Sequence, residues 1–323
     1  MRPMARLARL TSISYPGFGG LTSVEERRTR ALDEVCARID EAAMDRPDLI
    51  VLPETFTALG LGGKEWVEMA EPIPGPSTDA LGRKAREHRT HIVCPVIEAR
   101  DGLRYNAAAL IDREGHVGGV YHKMHPTISE CVDGITPGTE APVWQTDIGR
   151  VGCAICFDLN FRDVADSLAA NGAQVVCFAS MYRGGLSTRM WAFDYGVWFI
   201  SATPAENSVI LDPLGRLLVQ SFAYSYTISA QVNLDAVVCH IDYNHPLLPE
   251  LKKKYGPLAD VHTVAPEGVF LLSSFHPDVS VTEMMAEFKL EPRSVYWRRA
   301  NRVREAALHA PGKPIPAAIS AVQ

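Results

Sequence analysis

The 323-residue sequence contains no apolar run approaching the ~20 residues that a bilayer-spanning helix needs. It also lacks a basic excess, since 32 Lys and Arg stand against 38 Asp and Glu for a net charge of −6. Binding to phosphate backbones demands a positive footprint that this chain does not carry. Neither nucleic acid nor membrane is therefore expected as a partner. Arg2, Arg6 and Arg9 interrupt residues Met1 to Leu10 and leave no apolar core for a secretory signal, so a cytoplasmic protein is expected. Paired cysteines are missing as well. There are seven, an odd number, mostly within apolar runs such as Val175-Val176-Cys177-Phe178, as reduced buried thiols are. Cys153 and Cys156 form a C-x-x-C, but no second such pair and no His-x-x-x-His completes a tetrahedral metal set. No metal or cofactor is expected.

With 47% hydrophobic and 22% charged residues the composition is that of a globular protein, and the length allows about two domains or one large α/β core. Residues Ser23 to Met44 read as an amphipathic helix, with Leu32, Val35, Cys36, Ile39 and Ala43 on one stripe. Ser23 and Glu26 have capping-box spacing at its start. Pro47 ends that helix, and Leu49-Ile50-Val51-Leu52 follows as a continuous apolar run suited to a buried strand. From His91 onward strands alternate with tight turns: His91 to Ala99, Leu103 to Ile111, Gly118 to Tyr121. Then come a strand at Val151 to Ile155, a helix at Val164 to Asn171 stopped by Gly172, and a strand at Gln174 to Ala179. Gln231 to Ile241 reads as one further strand. Beyond about Asn244 the texture changes, with Pro246, Pro249, Pro257 and a Lys252-Lys253-Lys254 run, then a helix near Ser294 to Ala307 and a mobile tail from Ala310. The pattern predicts layered α and β.

Three reactive side chains stand at the ends of predicted strands: Glu54 after Leu52-Pro53, Lys123 after Tyr121-His122, and Cys156 after Ala154-Ile155. Strand ends are where layered α/β folds gather their chemistry. A cysteine nucleophile needs a base, which Glu54 supplies if a neighbouring cation tunes it. Lys123 is that cation, and together with the backbone N–H of Phe157 it offers a stabiliser for developing negative charge on substrate.

The runs Asp48-Leu-Ile-Val-Leu-Pro-Glu54, Tyr121-His-Lys-Met-His-Pro126 and Gly152-Cys-Ala-Ile-Cys-Phe-Asp158 resemble the nitrilase superfamily of carbon-nitrogen hydrolases, as do Tyr105-Asn106, Asn171-Gly172-Ala173 and Asp212-Pro213-Leu214-Gly215. The order and spacing agree too, 69 residues from Glu54 to Lys123 and 33 from there to Cys156. The resemblance implies a four-layer αββα sandwich over residues 1–243, followed by a C-terminal extension, 244–323, that packs on the core or on a partner subunit of a homodimer or larger assembly. It assigns Glu54 as general base, Lys123 as stabiliser of the tetrahedral intermediate and Cys156 as nucleophile, with Glu130 positioning the substrate. Phe56, Tyr182, Arg183 and Trp191 are its candidates for lining the pocket.

Substrate signals point two ways. The run Lys123-Met-His-Pro-Thr-Ile-Ser-Glu130 is similar to the nitrilase branch, whereas Cys156-Phe157-Asp158 is closer to amidase-like branches. Asn160 stands where some carbamoyl-amino-acid hydrolases have an arginine, and a neutral amide cannot make that charged bidentate contact. Arg162 and Arg183 are candidate substitutes. The leading expectation is hydrolysis of a small linear carboxamide to acid and ammonia through a cysteine thioester. A nitrile or an N-carbamoyl compound is the runner-up, and a catalytically silent assembly protein is the non-enzymatic alternative. His122 and His125 are read as loop histidines, and Arg298, Arg299, Arg302 and Arg304 as a solvated or subunit-facing helix surface.

Overall fold

The computed structural model describes residues 6–17, 23–264 and 266–320. Arg2 and the last three residues, 321–323, thus lie outside it. The strands are Leu7–Ile13 (β1), Leu49–Val51 (β2), His91–Arg100 (β3), Leu103–Ile111 (β4), Val117–His122 (β5), Val143–Gln145 (β6), Arg150–Ile155 (β7), Val175–Ala179 (β8), Trp198–Ala202 (β9), Val209–Leu211 (β10), Leu217–Gln220 (β11), Thr227–Asn233 (β12), Ala236–His240 (β13), Ala259–Val264 (β14) and Val269–Ser274 (β15). The chain divides into two compact units, one of residues Ala8–Val232 and one formed mainly from Asn233 onward.

The larger unit holds two six-stranded sheets, ordered β12-β1-β2-β3-β4-β5 and β11-β10-β9-β8-β7-β6. They face each other, with β2 against β8 and β9 and β4 against β7. The helices Val24–Ala42 and Pro76–His88 cover the first sheet, and Arg162–Ala170 and Leu186–Tyr195 cover the second, giving four layers in the order αββα. This arrangement explains the continuous apolar runs. β2, β8 and β9 are buried along their whole length because each is covered on both faces. The first helix begins where expected, with the Ser23 hydroxyl accepting the Glu26 N–H at 3.1 Å. Its buried stripe, Ala31, Val35, Ile39 and Ala42, packs with Ile50, Leu52, Leu81 and Ile92.

The parallel pairs β1–β2–β3 and β7–β8–β9 make one end of each sheet a row of carboxyl termini. β5 runs in the same sense as β3, because β3–β4 and β4–β5 are both antiparallel.

Two regions differ from the sequence reading. The predicted single strand Gln231 to Ile241 is two strands in different sheets, β12 and β13, because the Asn233 side chain accepts the Asp235 N–H at 2.9 Å and turns the chain between them. The residues after Asn244 carry two strands that composition did not show. β13, β15 and β14 form an antiparallel sheet over a core of Cys239, Leu251, Phe270, Leu272, Met284 and Leu290. The final long helix spans Arg293–His309, and the stretch read as a mobile tail contains a short helix, Ala317–Ser320. Among the described residues no helix is long and apolar enough to cross a membrane.

One close approach ties the edges of the two sheets. A Cβ on Gly119 of β5 would fall 1.9 Å from the Trp144 indole nitrogen of β6, so only glycine admits the ring there. Gly119→Ala is expected to cost about 1–3 kcal/mol by overpacking, read as a lower denaturant midpoint with unchanged slope. An unaltered midpoint would show that Trp144 moves aside freely.

Candidate active site

Glu54, Lys123 and Cys156 sit just beyond the carboxyl ends of β2, β5 and β7, two on the first sheet and one on the second. The sandwich brings them together. Lys123 is 1% exposed and surrounded by carboxylates: its Nζ donates to Glu54 Oε1 at 2.8 Å and to Glu130 at 3.1 and 2.8 Å. Burial works against the ammonium, but Glu54 and Glu130 outweigh it and hold the lysine's proton affinity above its ordinary value. Glu54, also 1% exposed, accepts the Met181 N–H on Oε2 at 3.0 Å.

Glu130 lies in the short helix Ile128–Val132, where it closes a capping box with Thr127: the Thr127 N–H donates to its carboxylate at 2.6 Å. Burial raises its proton affinity, yet Lys123 and the surrounding donors win and hold the carboxyl below the usual range.

Cys156 opens the 3₁₀ turn Cys156–Asn160 with φ of 47°. A non-glycine residue in that region costs energy and is commonest where function dictates the backbone. Thr55, directly after Glu54, has φ of 42°, so both chain segments bend sharply at the site. The thiol is pushed up to about 12, first by burial and then by the Glu54 carboxylate, while Lys123 and the Met181 amide pull it back. At neutral pH the sulfur is therefore protonated and has a carboxylate beside it. Phe157 follows in the first turn, where helical amides have no intra-turn acceptor.

Asp158 clamps this turn to the lysine loop. Fully buried, its carboxylate accepts from Tyr121 Oη at 2.7 Å, the Ile155 N–H at 2.8 Å and the His125 N–H at 2.9 Å. Burial pushes the carboxyl up to about 6 against the pull of those three donors.

The pocket candidates separate. Tyr182 and Arg183 line a cavity of about 300 Å³ together with Met181, Thr203, Pro204 and Ala205, a volume suited to a small ligand. Arg183 also lines a second cavity of about 420 Å³ that extends past Arg189 and Asn207. Trp191 is placed elsewhere, on a cavity of about 220 Å³ with Arg162 and Asn160. Phe56 is 1% exposed and belongs to the hydrophobic core under the first sheet. His122 is engaged with Glu98 at 2.5 Å and stacked on Tyr105, and His125 pairs with Asp163 at 2.9 Å, so neither approaches the Glu54 carboxylate by a hydrogen bond. Cys153 is buried in β7, in register with Cys177 of β8 and in contact with its thiol. Among the described residues, the group with metal-ligand geometry is Asp40, Glu87 and His88, and the Lys84 ammonium already occupies it at 2.8 Å from Asp40 and 2.9 Å from Glu87.

Asn106 was not singled out for a role. It is fully buried on β4 and donates from one nitrogen to Glu54 Oε1 at 2.7 Å and to Glu130 Oε1 at 2.8 Å. The signal for it was a lone amide opening the apolar run Ala107 to Ile111. The Met181 N–H is a backbone group that no side-chain pattern marks.

A family model described as carbon-nitrogen hydrolase matches residues 17–238. The omega-amidase NIT2 of Xenopus tropicalis is 26% identical over 235 residues, covering 64% of this chain and 84% of its own length. The human omega-amidase NIT2 is 27% identical, covering 62% and 81%. Among solved structures, Saccharomyces cerevisiae Nit3, a member of branch 10 of the nitrilase superfamily, superposes with a TM-score of 0.62 at 20% identity over 79% of this chain and 96% of its own. An amidase from Nesterenkonia sp. does so at 0.59 and 19% identity over 77% and 97%.

Because the folded Glu130 carboxyl ionises at lower pH than the ordinary 4.5, its pairing stabilises the fold fully above that value and is lost as pH falls through the folded one. Glu130→Gln is expected to lower stability by roughly 1–3 kcal/mol at neutral pH. The melting-temperature gap to the unaltered protein should close in acid; a gap independent of pH would mean that the ionised carboxylate contributes nothing.

Proposed function

Because this chain belongs to the carbon-nitrogen hydrolase family, we propose that it hydrolyses a small linear carboxamide to a carboxylic acid and ammonia, with Cys156 as nucleophile, Glu54 as general base and Lys123 as electrostatic stabiliser. The observation that carries the reading is the buried Glu54–Lys123–Glu130 ion cluster set against a protonated Cys156 thiol.

A thiol held near 12 cannot rest as a thiolate at neutral pH, so its proton leaves as sulfur attacks. Glu54 receives it. The sulfur–carbon bond forms, the carbonyl π pair moves onto oxygen, and the Lys123 ammonium with the Phe157 N–H stabilises the resulting oxyanion. Collapse re-forms the carbonyl and breaks the carbon–nitrogen bond. Glu54 returns its proton to the leaving nitrogen, and ammonia departs from a thioester. Water then gives its proton to Glu54, attacks the thioester and releases the acid, and the sulfur recovers the proton. Glu130 keeps the ammonium fixed between two carboxylates so that it neither rotates away nor loses its charge.

The names of the relatives, omega-amidases and an amidase, support an amide over a nitrile. So does the Cys156-Phe157-Asp158 run. The 300 Å³ cavity bounded by Tyr182 and Arg183 is the proposed acyl site, since it adjoins Met181, whose amide holds Glu54. Cys156→Ala should lower ammonia release from a panel of carboxamides by at least about 10³-fold, with nitriles assayed in parallel. Turnover that survives the substitution removes the nucleophile assignment, and turnover confined to nitriles replaces the substrate class.

A further inference from the structure

Each carboxylate oxygen at the site has its own donors. Glu54 Oε1 takes two, Asn106 Nδ2 at 2.7 Å and Lys123 Nζ at 2.8 Å. Glu54 Oε2 takes the Met181 N–H at 3.0 Å. Glu130 Oε1 shares the same two side chains at 2.8 and 3.1 Å. One amide nitrogen thus spends both its hydrogens on two acidic groups. The orientation of Asn106 is fixed by this, because the reverse rotamer would face its oxygen to two carboxylates. The oxygen is left buried with no hydrogen-bond partner among the described residues. A buried acceptor without a donor weakens a fold, so the stability of β4 alone does not account for an asparagine here.

We propose that Asn106 is a positioning residue that reserves Glu54 Oε1, tying it to Glu130 and leaving Oε2 as the one oxygen that exchanges a proton with Cys156. The hydrogens of Nδ2 cannot be given up, so Oε1 cannot take a proton without losing a bond or forcing two hydrogens together. Proton traffic is directed to the oxygen held by Met181, whose amide also faces the thiol. The charged and titratable groups facing Glu54 are Lys123, Cys156 and Tyr182; those facing Glu130 are Lys123 and, through its N–H, Thr127. In keeping with this, Asn106 is one of the donors that hold Glu130 below the ordinary carboxyl range, after Lys123 has overcome the effect of burial. The lysine N–H also donates to the Asn106 carbonyl at 2.8 Å, which fixes the two residues side by side.

The inference rests on Glu54 serving as the base of Cys156, and the test reads that step without any amide substrate. Cys156 is alkylated with iodoacetate, which has no amide, across a pH series in a Cys131→Ser background, since Cys131 is exposed, and the adduct is located by mass. Asn106→Leu, similar in size and without donors, should move the midpoint of the acid limb up by about one pH unit, or tenfold in rate at a fixed pH below it. Asn106→Asp, which adds a third carboxylate, should move it further. A lower rate with the midpoint in place would mean a merely structural role and overturn the proposal. Should both variants fail to fold, the Asn106 side-chain amide resonances of the unaltered protein decide: they should titrate with the alkylation midpoint, and resonances that ignore it count against the proposal. A failure to release ammonia from carboxamides would sink the functional reading alone, leaving the alkylation profile to judge Asn106.

Discussion

The site depends on one interaction, the burial of the Lys123 ammonium between the carboxylates of Glu54 and Glu130. An isolated charge is not stable in a protein interior, and a pair survives there only when each remaining lone pair and proton has a partner. Here the partners come from five places in the chain: the ends of β2 and β5, the Ile128–Val132 helix, Asn106 within β4 and the Met181 amide after β8. The two sheets must face each other with their carboxyl ends together for these groups to meet. The αββα sandwich is the arrangement that supplies this, and the fully buried strands are its cost in composition.

The same cluster bears on Cys156. Burial and an adjacent carboxylate keep its thiol protonated, and in the proposed reaction the Lys123 ammonium, which already acts on that thiol, would stabilise the charge that develops during attack. The backbone is bent at both ends of this contact, at Thr55 and at Cys156, and the bends are held by specific partners. Trp66 donates to the Thr55 hydroxyl at 3.2 Å. Asp158 gathers the N–H of Ile155, the N–H of His125 and the Tyr121 hydroxyl onto one carboxylate, so a single buried group ties the turn carrying Cys156 to the loop carrying Lys123. Its burial makes this clamp expensive, and the Tyr121 hydroxyl with the two amides offsets the expense.

Much of this could be read from the chain. The ends of apolar runs gave Glu54 and Cys156, because a buried parallel strand is a contiguous apolar segment and its end is where a polar residue can face a cleft, whereas Lys123 ends β5, a half-exposed edge strand antiparallel to β4, and was marked by its place after a strand that follows a tight turn. The N-cap at Ser23 was visible for a similarly local reason. What escaped depended on tertiary contacts. Asn106 belongs to the Tyr105-Asn106 pair that resembles the family, but nothing local gives it a role, since its partners lie 52 and 24 residues away. The resemblance offered Phe56 and Trp191 as pocket residues, and whether an aromatic side chain faces a pocket or a core is decided by tertiary packing rather than by local sequence. The turn at Asn233, made by a side chain two residues before the amide it binds, hid inside an otherwise continuous strand pattern. The third sheet was masked by the prolines and lysines that surround it.

The most direct measurement of the central claim is a single-turnover reaction with the protein in excess over a small carboxamide, quenched in acid and analysed for ammonia, free acid and the mass of the Cys156 peptide. The buried cluster acting through Cys156 predicts ammonia released in step with an acyl adduct on that peptide, with free acid appearing as the adduct decays. Ammonia and acid released together, with no adduct on Cys156 even at the earliest times, would contradict it.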